Sequence, residues 1–184
     1  MKPRFLTEYG IFMESVFQGL DVYGTVGDYR LLPVFDKTTE AIRQKIIGLW
    51  KDNHALPQGI EPDERAKQAL FVVLGPQDRL VAVSTVYVSD LQHTGVKDAP
   101  PDRFYCYRMF INPDDRVGHL AKTMVTGAYD YLKALAVQEK PKGIVAVAHN
   151  KKLMRRGLQL AFRGIGWTVT GKDPQGHFIY RRDF

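Results

Sequence analysis

The chain has one cysteine, Cys106, in 184 residues, so no internal disulfide can form and nothing points to an oxidising compartment. No run approaches 18 consecutive apolar residues, the length at which a membrane-spanning helix would be read. The first thirty residues carry Glu8, Glu14, Asp21 and Asp28 and lack an unbroken apolar stretch, which argues against a signal peptide. No internal repeat or low-complexity segment interrupts the sequence. These absences predict a soluble, cytoplasmic protein with no membrane partner.

What is present is ordinary globular composition, with 45% hydrophobic and 25% charged residues, and enough chain for a full core. The net charge of +6 favours polyanionic partners such as phosphorylated cofactors, acidic carrier proteins or RNA. Without exposed aromatics interleaved among the basic residues near the C-terminus, the nucleic-acid reading is weak.

Phe5, Tyr9, Phe12, Met13, Val16, Phe17 and Leu20 recur at three- and four-residue steps, which predicts a helix with one apolar face. Residues 1–27 thus read as a helical extension and residues 28–184 as the main domain. The extension has three places to bury that face: over a substrate cleft, on a sheet, or between two subunits of a homodimer. Within the main domain, 29–35 is a short apolar strand, and Pro33 argues for an edge or a bulge. Thr38 and Thr39 can cap a helix with Ile42, Ile46, Leu49 and Trp50 on one side. Pro62-Asp63-Glu64 opens a short helix. Residues 69–74 and 80–88 are strands about a Gly75-Pro76-Gln77-Asp78 turn, and 89–102 is a polar loop. A strand over 104–111 precedes a long helix striped by Leu120, Met124, Ala128, Tyr131, Leu132 and Leu135. Residues 143–148 form a continuous apolar run, as in a buried parallel strand. Asn150 can cap a helix to about Arg163, and 167–181 folds as a hairpin.

The most informative stretch lies between the 104–111 strand and the long helix. Ile111-Asn112-Pro113 makes a turn, and Arg116-Val117-Gly118-His119-Leu120-Ala121 follows it into the helix. Backbone N–H groups at such a junction, flanked by small residues, suit a phosphate or pyrophosphate.

This stretch, in this order of elements, resembles the GNAT acyltransferase family from about Tyr29 to the C-terminus. The family signature is Arg or Gln, two residues, Gly, one residue, then Gly or Ala, after a hydrophobic-x-Pro turn. Arg116 and Ala121 fall in register. His119 stands where the central glycine would be, with Gly118 one place early. The resemblance implies an α/β fold with a central mixed, mostly antiparallel sheet, splayed at its fourth and fifth core strands and flanked by helices, with the N-terminal helix added. It implies acetyl-CoA or another acyl-CoA as co-substrate. The backbone of Phe110 and Ile111 would hold the pantetheine, and the amides of Val117, Gly118, His119, Leu120 and Ala121 the diphosphate, with Arg116 adding charge. Asn150 and Gly166-Trp167 match later family positions. The implied reaction is direct attack of an amine, small-molecule or protein, on the thioester in a ternary complex.

The family's usual acid and base are replaced. Phe162 stands where many members carry Tyr, and Tyr105 where many carry Glu. His149, at the end of the buried strand, is the candidate base. Tyr107 is the candidate acid. Cys106 reads as a structural thiol, and His93 lies in the loop before the strand. Lys151, Lys152, Arg155, Arg156, Arg163, Arg181 and Arg182 form a basic set. That set motivates an alternative: an acyl-carrier-protein-dependent enzyme of the acyl-homoserine-lactone or N-acyl amino acid synthase type. The missing Glu and Tyr motivate a third reading, a non-catalytic binding module.

Overall fold

The computed structural model describes residues 16–91, 102–149 and 155–184. One sheet runs in the spatial order β1-β2-β3-β4-β5-β6-β8-β7. Strands β1 (Gly24–Val26), β2 (Tyr29–Pro33), β3 (Ala69–Leu74), β4 (Leu80–Leu91) and β5 (Asp102–Ile111) are antiparallel neighbours. Strand β6 (Gly143–Val147) lies parallel to β5. Strand β8 (Phe178–Asp183) returns antiparallel beside β6, with β7 (Thr168–Lys172) outside it.

Helices α1 (Glu40–Asp52) and α2 (Pro62–Lys67) cover one face of the sheet. Helices α3 (Leu120–Ala134) and α4 (Arg156–Gly164) cover the other. Thr39 caps α1 as expected, its hydroxyl oxygen accepting from the Ile42 N–H at 3.3 Å. The apolar stripe of α1 then buries Ile42, Ile46, Leu49 and Trp50 against Leu32, Val72 and Val83. On the far face Leu120, Met124, Ala128 and Leu132 pack on Phe71, Tyr105 and Ile144. Each large aliphatic side chain among these, fully buried, contributes about 1.5–3 kcal/mol.

Pro33 sits where its missing N–H does no harm. The Val34 N–H donates to Leu70 O at 2.9 Å, so by alternation the Pro33 nitrogen faces away from β3, beyond the end of β1. Gly143 is required for a different reason. A Cβ there would overlap the Arg182 carbonyl oxygen and come within 2.7 Å of the Asp183 Cα, where β6 and β8 press together.

Two boundaries differ from expectation. Strand β1 lies inside the segment read as a helical extension, because Gly27, at φ 55, turns the chain into a hairpin where its glycine reads as a breaker. Of the expected N-terminal helix, residues 1–15 lie outside the described residues, while Phe17 is buried on the α1 side. The described helix α4 begins at Arg156 with Arg155 at its N-cap position. Asn150, Lys151, Lys152 and His93 lie outside the described residues.

Candidate functional site

The site begins where β5 and β6 part. Their parallel pairing covers Tyr105↔Ile144, Cys106↔Val145 and Tyr107↔Ala146, then stops. Toward β4 the same strand stays paired, without a bulge, as far as Ala82↔Ile111. The Asn112 N–H donates to Val81 O at 2.9 Å, which fixes the phase of the ladder. Residues 112, 110 and 108 direct their backbone groups at β4, and 111, 109 and 107 direct theirs at β6. Met109 and Ile111 therefore present N–H and C=O groups to the opening. Phe110, expected to share that role, spends its backbone on β4 and offers only its ring. Met109 was missed because the phase comes from β4, not from the composition of β5.

The loop after β5 is tied down by one carboxylate. Asp115 is 2% exposed. It accepts both guanidinium branches of Arg79, at 2.7 and 3.0 Å, the Asn112 amide at 2.8 Å and the Tyr29 hydroxyl at 3.3 Å. Within the loop the Val117 N–H donates to Asp115 O at 2.8 Å and the Leu120 N–H to Val117 O at 3.4 Å. The Leu120 side chain is buried in the core. Among the described residues, the amides of Gly118, His119 and Ala121 remain without an internal acceptor, aimed from the start of α3. His119 occupies the left-handed region, at φ 69, which favours glycine. Arg116 is exposed, and its Nε donates to Ile111 O at 3.4 Å.

A cavity of about 660 Å³ passes through the parting. Met109, Ile111, Val117 and Ala121 bound it on the α3 side, and Trp50, Leu56, Arg65 and Arg108 on the α1–α2 side. Phe110, Arg116 and His149 also line it, so six of the expected site residues meet here. No carboxylate is among its described lining residues; its charged side chains are Arg65, Arg108 and Arg116.

His149 is exposed at the rim, with its ring edge-on to His177 at 4.8 Å between centroids. The Asp173 carboxylate accepts the His177 backbone N–H at 2.7 Å and meets His177 Nδ1 at 2.9 Å. An ionised carboxylate only accepts, so Nδ1 carries a proton and donates it to Asp173. Burial would raise the Asp173 pKa, but the His177 bonds outweigh it and hold the carboxyl below its ordinary value. Ligand atoms of His149, Asp173 and His177 lie within 4.8 Å of one another. These are residue types that bind metal, yet both carboxylate oxygens are already engaged by His177. Asp173 and His177 are a hydrogen-bonded pair, with the His149 ring packed against His177.

Tyr107 is not brought to this cavity. It points to the α3–α4 face, 5% exposed, and lines a separate space of about 100 Å³ with Trp167, Phe162 and Tyr180. Burial pushes its hydroxyl pKa up, with a small opposing influence from Ser84, although the two hydroxyls do not reach hydrogen-bond geometry. Phe162 stacks on Tyr180 there, 4.8 Å between centroids. Cys106 is partly buried beside Tyr87, and burial raises its pKa, as suits a structural thiol. Of the basic set, Arg181 pairs with Asp183 and lies over Phe104, and Arg182 lies over Tyr129. Arg155, Arg156 and Arg163 remain exposed.

No family model matches the chain, and the comparison with curated proteins by sequence finds no match. Solved structures do match. The ribosomal-protein-S5-alanine acetyltransferase from Vibrio fischeri aligns at a TM-score of 0.59 and 12% identity, over 89% of this chain and 97% of that one. Arabidopsis thaliana NAA60 in complex with acetyl-CoA aligns at 0.55 and 10% identity, over 85% and 99%. The AtaT toxin, bound to the C-terminus of the antitoxin AtaR and acetyl-CoA, aligns at 0.54 and 15% identity, over 84% and 93%. Such identities show a shared fold. The chain has the GNAT-like architecture, with one parallel strand pair in a mostly antiparallel sheet.

Proposed function

We propose that this protein is an acyl-CoA-dependent N-acyltransferase, with acetyl-CoA as the first donor to test. The observation that carries the reading is the parting of β5 and β6 into a through-sheet cavity, with unengaged amides at one end. Similar folds have been solved with acetyl-CoA bound, including NAA60 and AtaT. The residues fit such a donor. Met109 and Ile111 present an open strand edge to a pantetheine arm. Gly118, His119 and Ala121 offer N–H groups to a diphosphate, and Arg116 adds positive charge.

Bound there, acyl-CoA supplies an activated acyl group. The chain positions the acceptor nitrogen and takes its proton. With no carboxylate in the described lining, His149 is the group at the rim able to accept that proton, and it can return it to the departing sulfur. His177, oriented by Asp173, stands beside it and fixes the ring's surroundings. The buried Tyr107 hydroxyl has no part in this transfer.

The test is release of CoA thiol from acetyl-CoA with a panel of amine acceptors. Turnover that needs both substrates and falls in His149→Ala supports the reading. Thiol release independent of any amine contradicts it.

A second reading keeps the fold and changes the donor. Leu158 lines the cavity, and Leu160 is 58% exposed on α4 beside Arg155, Arg156 and Arg163. That apolar and basic surface would suit an acidic acyl carrier protein delivering its arm through the same mouth. Acyl transfer from loaded carrier protein but not from acyl-CoA would favour it.

A further inference from the structure

Two arginines on the α1–α2 side of the cavity are left uncompensated among the described residues. Arg65 comes from α2, and Arg108 from β5 opposite Thr85. Both are half-buried. They lie close enough that Arg108, after burial itself, lowers the Arg65 pKa. No described carboxylate pairs with either one. Among the described residues Arg108 has only neutral partners: Nη1 donates weakly to Gln68 Oε1 at 3.4 Å, and the guanidinium lies 4.2 Å from the centre of the Tyr87 ring. Those contacts orient the fork without neutralising it. Around the pair the lining is apolar: Trp50, Ala55, Leu56 and Pro57. Like charges held together in such surroundings raise the free energy of the folded chain unless an anion joins them.

The geometry points to an acceptor amine that carries a carboxylate or phosphate group, gripped jointly by Arg65 and Arg108. This rests on the acyltransferase reading above. The paired forks match either oxyanion, since guanidinium binds both in bidentate fashion. Arg108 also neighbours Met109, whose backbone faces the opening, so the anion is held next to the path of the acyl donor. A cationic pocket has a second consequence. Nearby positive charge disfavours the ammonium form of the acceptor and favours the free amine, the form that attacks. That eases the task a carboxylate base would otherwise perform, and the acceptor's own anionic group offsets the repulsion on entry.

The experiment is a calorimetric titration on the full chain with its donor site filled by free CoA. Two probe pairs are used: leucine against leucinamide, and phosphoethanolamine against ethanolamine. At least one anionic member is expected to bind about tenfold more tightly than its neutral partner. The pair that shows the preference separates a carboxylate acceptor from a phosphate one. The preference should collapse to about twofold or less in Arg65→Gln and in Arg108→Gln, and be kept only in part in the Lys variants, which hold the charge but not the fork. Equal affinity within both pairs overturns the inference. So does a preference that persists in both Gln variants, and so does a lack of saturable binding by all four probes. The CoA titration that precedes the amines reports the donor site separately. If CoA does not bind, the acyltransferase reading falls and takes this inference with it. If CoA binds and no anion is preferred, only this inference falls.

Discussion

The two ends of the cavity use arginine in opposite ways. At the loop end, Arg79 gives both guanidinium branches to Asp115, and the pair pins the chain between β5 and α3. At the α1–α2 end, Arg65 and Arg108 face the cavity without a described carboxylate. Charge that is satisfied internally builds a structure. Charge left unsatisfied in a partly buried cavity costs stability and is kept for something that arrives from outside. The net charge of the chain does not distinguish the two, but the partners do.

Removing the carboxylate at the structural end should have the largest effect. Asp115→Ala takes away four hydrogen bonds at a buried site and should destabilise the fold by about 2–3 kcal/mol in denaturant titration. The same variant should lose CoA binding, because the amides of residues 118–121 no longer hold their direction. Next, His149→Ala should lower kcat by about tenfold to a hundredfold with little change in melting temperature, since the residue is exposed. His119→Gly should relieve a left-handed backbone and stabilise the fold by about 0.5–1 kcal/mol, with CoA affinity equal or better. Arg65→Gln sharpens the contrast with Asp115→Ala. Removing one charge of an unneutralised pair should leave stability unchanged or raise it by up to about 0.5 kcal/mol. A loss like that of Asp115→Ala would mean that Arg65 is structural.

The smallest expected effect concerns pH. The Asp173 pKa is held below 3.8, so its contribution to stability is present above that pH and lost as pH falls through the lower folded value. Below about pH 4 the β7–β8 hairpin should loosen first, and Asp173→Asn should remove that acid sensitivity. Hydrogen exchange in residues 168–183 would read it.

Much of the frame was legible because it rests on periodicity and local chemistry. The α1 stripe, the Thr39 cap, the buried β6 run and the Ile111-Asn112-Pro113 turn all declare themselves within a few residues. Strand β1 was hidden because Gly24 and Gly27 read as breakers, while its strand character comes from pairing with β2. The site was legible on its loop side and obscure elsewhere. Asp115 reaches Arg79 and Tyr29, far away in sequence, and no pattern in residues 112–121 announces that clamp. Arg65 and Arg108, far apart in sequence, line one cavity only because the fold brings α2 and β5 to the same side of it. Tyr107 and Met109 look equivalent on an alternating strand. Both direct their backbones at β6, yet pairing ends between them, so Tyr107 is closed into the core and Met109 opens on the cavity.

The most direct test of the central claim is a thermal-unfolding titration with acetyl-CoA and free CoA, on the natural chain and on Ala121→Glu. Binding to the native state raises the melting temperature in proportion to the logarithm of ligand concentration beyond its dissociation constant. The account predicts saturable stabilisation by both ligands, abolished when a carboxylate is placed among the amides at the start of α3. No stabilisation by either ligand, or stabilisation that Ala121→Glu leaves intact, would contradict it.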